Sequence, residues 1–168
     1  MDRQLILMRH GKSSWDHPGL SDYDRPLNDR GVKASRLMAR FLAAQQWTPE
    51  TVLCSTAKRT QSTWDEVTDE IAWNGNRIDC EDLYLASPQT ILHTIQAVSN
   101  TVTSVLVLGH NPGLEELLEV WTGHVGKFPT AALAVMRFEL PEWRELSWNL
   151  RPVENSVWKP KELGSLGA

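Results

Sequence analysis

Three short apolar runs decide most of what this chain can fold into. Residues 5–8, 51–54 and 104–108 are almost wholly apolar, and none alternates apolar with polar positions. A strand buried on one face alternates with a period of two, whereas a strand covered on both faces reads as a continuous apolar stretch. The runs therefore predict inner strands of a sheet with helices on both sides. The intervening segments supply those helices. Ala34, Leu37, Met38, Phe41 and Leu42 form one stripe at helical spacing within residues 29–46, and Thr48-Pro49 breaks it. Ser55 or Thr56 is placed to cap a second helix reaching about Ala72, with Trp64, Val67 and Ile71 on one face and Asn74-Gly75 at its end. Residues 78–80 read as a short strand. Ser87 before Pro88 is an N-cap followed by proline at the first helical position, opening a helix with Ile91, Leu92, Ile95 and Val98 on its apolar face. A fourth helix carries Leu114, Leu117, Leu118 and Trp121, and a turn rich in glycine follows from Gly123 to Gly126. Residues 132–140 and 145–150, joined around Pro141-Glu142, predict an antiparallel hairpin. Strand and helix thus alternate three times over. The predicted class is α/β: a three-layer α/β/α sandwich with a mainly parallel central sheet and a C-terminal antiparallel hairpin.

The 168 residues (19.0 kDa) fit a single domain over residues 1–152, with residues 153–168 as a loosely packed tail. With 17 Lys and Arg against 21 Asp and Glu, the net charge is −4. That disfavours a broad basic surface for nucleic acid, though a local basic pocket is compatible with it. Cys54 and Cys80 are too few for a disulfide framework and fit a reducing compartment. After Met1-Asp2-Arg3-Gln4 only four apolar residues precede Arg9, a run too short for a secretory signal or a membrane span, so the expectation is a cytoplasmic protein with no membrane partner. Eight of the thirteen aromatic residues are tryptophan. Trp64 and Trp121 fit helix core faces, whereas Trp15 lies in the polar segment from residue 12 to 29, a long loop of the kind that often carries function.

The candidate chemistry lies where the apolar runs stop. Ligands of open α/β sheets bind beyond the carboxyl ends of the strands. The first run ends in Arg9-His10-Gly11, the second in Ser55 and Thr56 with Arg59 a turn later, and the third in Gly109-His110-Asn111. Two histidines and two arginines are thus carried to one edge of the sheet. Guanidinium forks match phosphate oxygens, helix amino ends add donors, and a neutral imidazole can attack phosphorus. Gly11-Lys12-Ser13 ends like a nucleotide-binding P-loop, but Ile6 stands where that loop needs glycine. The five histidines include no metal-binding pair at i, i+4, so the expectation is no metal and no cofactor. Cys54, at a strand end, reads as an apolar filler.

The segment from Leu7 to Ser13, with Arg9-His10-Gly11 at its centre, resembles the signature motif of the histidine phosphatase superfamily, which includes the phosphoglycerate mutases. Residues 55–63, with Arg59, resemble its second block, and Gly109-His110-Asn111 resembles its third. Asp24-Arg25-Pro26-Leu27 with Gly31 is most similar to the small SixA-type phosphohistidine phosphatases, and the likeness runs from about Leu5 to about Leu140. It implies a phosphoglycerate mutase-like fold without an inserted cap. It also implies a metal-independent phosphatase in which His10 is the nucleophile, Arg9, Arg25 and Arg59 clamp the phosphate, and His110 completes the pocket. Gly11 would let the chain pass close behind His10, and its carbonyl would fix the imidazole tautomer. Glu81 or Asp82 corresponds to the acid that protonates the leaving group in many members, but the surrounding pattern of the mutases is missing. Thr130 matches a threonine that lines the site. The implied partner is a phosphorylated protein bearing phosphohistidine, or a small phosphorylated substrate, acted on by a monomer. A small-molecule phosphomonoesterase and a phosphate-binding module without turnover are the alternatives.

Overall fold

The computed structural model describes residues 1–164. Among these, the three apolar runs become β1 (Asp2–Arg9), β2 (Thr51–Ser55) and β4 (Ser104–Gly109), and the short strand becomes β3 (Asn76–Cys80). With β5 (Leu133–Glu139) and β6 (Glu154–Trp158) they form one six-stranded sheet in the order β3-β2-β4-β1-β5-β6. The pairs among β1 to β4 are parallel, and β5 and β6 are antiparallel to their neighbours.

The absence of alternation in β1 has the predicted cause. Leu5 and Leu7 point into one apolar layer, and Ile6 and Met8 into the other. The first layer is closed by α3 (Pro88–Gln96) and α4 (Gly113–Thr122), the second by α1 (Asp29–Ala44), α2 (Lys58–Glu70) and the short α5 (Pro160–Gly164). The helix stripes named above sit in these layers, with Trp64 and Trp121 fully buried. Ser87 caps α3 as expected, its hydroxyl accepting from the Thr90 N–H.

Two expectations fail. The second arm of the hairpin is not residues 145–150. That stretch begins in a 3-10 turn and inserts Leu146 into the core beside Trp143, with Trp148 and Leu150 packed against it. The strand that pairs with β5 is β6, with Leu133 opposite Trp158 and Arg137 opposite Glu154. The tail is therefore not loose over most of its length. Tertiary pairing at a sheet edge overrides the polar sequence of residues 154–156, and α5 then tucks Leu163 under the second layer. Residues 165–168 of the predicted tail lie outside the described residues. The second correction concerns the cap of α2. Its N-cap is Ala57, without a side-chain bond. The hydroxyl of Ser55 faces an imidazole instead, as described below.

Candidate active site

The carboxyl ends of β1, β2 and β4 lie side by side, so the residues that follow them meet. His10 continues β1, its N–H donating to the Gly109 carbonyl (3.2 Å), while the Ala131 N–H donates to the carbonyls of Arg9 (3.0 Å) and His10 (2.9 Å). Ala131 pays for this with φ of +62°, a left-handed conformation uncommon for alanine and typical of over-determined backbone near a site. Behind His10 the chain crosses α1 through two glycines. A Cβ on Gly11 would lie 2.8 Å from the Ser35 hydroxyl, and one on Gly31 would lie 2.2 Å from the Lys12 carbonyl oxygen. The Gly11 N–H donates to the Thr63 hydroxyl on α2 (2.9 Å), which fixes the turn from the other side.

His10 and His110 are buried with their ring centroids 5.3 Å apart. His10 Nδ1 donates to the Gly11 carbonyl at 2.6 Å, which leaves Nε2 as the lone-pair nitrogen. That nitrogen accepts from Arg59 Nε (3.3 Å). His110 takes the opposite tautomer. Its Nε2 donates to the Ser55 hydroxyl (2.8 Å), and its Nδ1 accepts from Arg59 Nη2 (3.4 Å). Burial pushes both imidazoles down to about 3. At His10 the positive charges of Arg59, Arg9 and Arg25 add to the shift while the Gly11 carbonyl opposes it. At His110, His10 and Arg59 add to it. Both rings are therefore neutral at physiological pH.

The sequence-predicted residues converge. Arg9, His10, Arg25, Arg59, His110 and Thr130 all line one cleft of about 290 Å3, with Lys12, Ser13 and Asn111. Trp15 stands at its rim, 76% exposed, with the Arg25 guanidinium 3.6 Å from the ring centre, a cation–π stack. Leu85, 54% exposed, also lines the cleft. Glu81 and Asp82 do not join the site. They turn into a separate groove between β3 and α3, beside Cys80 and His93. Cys54 is buried, and burial pushes its thiol up to about 12, as expected of a filler. Both thiols are free.

Three site residues escaped the reading of the sequence. Ser55 reads in the sequence as a helix cap, whereas its hydroxyl accepts from His110 Nε2. Asp22, in a 3-10 turn of the long loop, accepts from Arg25 Nε (3.2 Å) and Nη2 (3.0 Å) through Oδ1 and from Arg59 Nη2 (3.1 Å) through Oδ2. Tyr84 donates its hydroxyl to the same Oδ2 (2.5 Å) and sets its ring edge-on to His110. The Tyr84 hydrogen bond, helped by the two arginines and opposed by partial burial, holds the Asp22 carboxyl down at about 2. The run Asp22-Tyr23-Asp24-Arg25 holds the one sequence signal, an acidic residue three positions before an arginine that lines the cleft.

The chain is similar to known proteins in both sequence and fold. Residues 5–80 match the family model of the histidine phosphatase superfamily, branch 1. An uncharacterised protein of Mycobacterium tuberculosis is 36% identical over 146 residues, covering 77% of this chain and 86% of that protein. The phosphohistidine phosphatase SixA of Escherichia coli is 32% identical over 158 residues, 89% of this chain and 94% of that protein. A solved structure of the protein histidine phosphatase SixA complexed with tungstate superposes with a TM-score of 0.78 at 30% identity, covering 95% of this chain and 99% of that one. A chain this similar to SixA over nearly its whole length, with two histidines and three arginines around one cleft, belongs to the histidine phosphatase superfamily as a SixA-type phosphatase.

Proposed function

We propose that this phosphatase works through a phosphohistidine formed on His10, with no metal ion or cofactor, and that its substrate is a protein phosphohistidine. The observation that carries the mechanism is the hydrogen bond from His10 Nδ1 to the Gly11 carbonyl, which leaves Nε2 deprotonated beside Arg59. In the first step this lone pair attacks the substrate phosphorus. The P–Nε2 bond forms, the substrate P–N bond breaks, and a substrate imidazole already protonated on its other nitrogen leaves neutral. Arg9, Arg25 and Arg59 hold the phosphoryl oxygens, and His110 adds a contact to them. These fixed charges meet a loose transition state that spreads charge over the same oxygens. Water then attacks the phosphorus of phospho-His10, the P–Nε2 bond breaks, and inorganic phosphate leaves. Three guanidinium groups supply the electrophilic help that a metal gives elsewhere.

The choice of phosphohistidine rests on proton supply. No carboxylate is among the residues lining the cleft, and Asp22, which reaches the arginines, stays ionised well below neutral pH. An alkyl ester needs a general acid for its leaving oxygen, whereas a protonated phosphoramidate carries its own proton. Trp15 and Leu85, both exposed along the cleft, leave it accessible to a phosphate borne on a protein surface. A cytoplasmic monomer, built as one domain without a cap, goes with this reading. The test is hydrolysis of a phosphorylated histidine-carrier protein beside aryl and alkyl phosphates, without added metal. The carrier is expected to be turned over fastest, and His10→Ala to abolish turnover of every substrate. Activity surviving in His10→Ala refutes the mechanism. Faster turnover of small esters replaces the substrate with a phosphomonoester, and phosphate binding without turnover of anything replaces the enzyme with a binding module.

A further inference from the structure

We propose that Asp22 is a positioning residue that decides which edge of the Arg59 guanidinium faces the phosphoryl group, an inference that rests on the His10 mechanism above. A guanidinium carries five N–H donors in one plane, so it can present one fork to a ligand only if the other edge is held. Here the outer edge is taken by a single residue. Arg59 Nη1 donates to the Asp22 carbonyl (2.7 Å), and one Nη2 hydrogen goes to Asp22 Oδ2 (3.1 Å). The inner edge, Nε and the other Nη2 hydrogen, makes only long contacts to His10 Nε2 (3.3 Å) and His110 Nδ1 (3.4 Å). Charge-assisted bonds to phosphate oxygens are shorter and stronger than these, so a phosphoryl group between the two imidazoles displaces them and meets a ready fork.

The same carboxylate is itself fixed. Tyr84 donates to Oδ2, and Oδ1 holds Arg25, whose Nη1 reaches the Ser13 hydroxyl. Asp22 therefore ties two arginines and a tyrosine from three segments of the chain into one brace. Its cost is a negative charge near an anionic substrate. That cost is offset because two guanidinium groups are oriented before the substrate arrives, and misplacement of a catalytic group by about 1 Å is worth on the order of 100-fold in rate.

The test is steady-state hydrolysis of an aryl phosphate by the full chain and by Asp22→Asn, Arg59→Lys and the double variant. Asp22→Asn keeps the size and the backbone acceptor but removes the charge and the second oxygen. It is expected to lower kcat/KM by about 10- to 100-fold, mostly in kcat, with native-like circular dichroism. The double variant is expected to be no worse than Arg59→Lys within about threefold, because both changes remove one interaction. Should Asp22→Asn fail to fold, Tyr84→Phe serves instead, with an expected loss of about threefold or more in kcat. A single variant as active as the parent, or losses that multiply in the double variant, overturns the inference. Activity persisting in His10→Ala overturns the underlying mechanism instead, so the two failures are distinguishable.

Discussion

At the scale of single residues, the decisive property of the site is that both imidazoles are neutral. Each has its pKa pushed from 6.5 to about 3 in the folded chain, so between those values the unfolded chain binds a proton that the folded chain refuses. Stability must therefore rise with pH across that window and fall on acidification, by about 1 kcal/mol per pH unit for each ring. Urea unfolding at pH 7 and pH 5 checks this. The parent should lose stability on going to pH 5, and a His10→Gln, His110→Gln variant should show a clearly flatter dependence. An equally steep slope in that variant would assign the effect to other groups. Neutrality is also what the proposed mechanism requires, since a protonated His10 has no lone pair to give. The residues that carry this behaviour were legible in the sequence because they follow directly on strand ends, where topology alone brings them together, and because local motifs resemble a known family. Asp22 and Tyr84 were scarcely legible. Apart from the local pair of Asp22 with Arg25, their roles depend on contacts 37 and 62 positions away along the chain, and an acidic residue near an arginine in a polar loop looks like a solvated one.

At the scale of elements, the sequence spoke clearly wherever burial was two-sided and faintly at the edges. The strands β1, β2 and β4 announced themselves as unbroken apolar runs. The edge strand β6 did not, because Glu154, Asn155 and Ser156 look like a loop, while the better-looking residues 145–150 serve as a plug for the core. The tryptophan excess is now mostly accounted for by such plugs. Trp143 is fully buried, donates to the Val102 carbonyl (2.7 Å) and lies under the guanidinium of Arg3, itself buried. Trp73 stands edge-on to Trp64 and donates to the Pro49 carbonyl. Trp158 packs with Phe41 and Trp47 at the outer end of the sheet. Replacing Trp158 by alanine is expected to cost about 2 kcal/mol, as a half-buried member of an aromatic cluster, with little change in kcat because the cluster lies away from the cleft. Chemical denaturation measures the first part and hydrolysis the second. A loss below about 0.5 kcal/mol would mean that β6 adds nothing to the sheet beyond its backbone bonds.

At the scale of the whole molecule, the net charge of −4 conceals a concentration of positive charge around one cleft. A ligand that binds only the folded chain stabilises it by mass action, so inorganic phosphate at 100 times its Kd should add about 2.7 kcal/mol. Thermal melting with and without phosphate should show an upward shift in the parent that is largely lost in Arg59→Gln. An undiminished shift would place the anion elsewhere. The sheet order has a further consequence, for biosynthesis. The first strand made is a central one. Gln4 of β1 pairs with Ser104 of β4, and Leu5 pairs with Met136 of β5, so β1 leaves the ribosome about a hundred residues before its first partner. At translation rates of about 5–20 residues per second it waits roughly 5–20 seconds. During that time its fully apolar stretch, together with the Arg-His-Gly turn, has no sheet to join, so this segment stays exposed longer than any other part of the core.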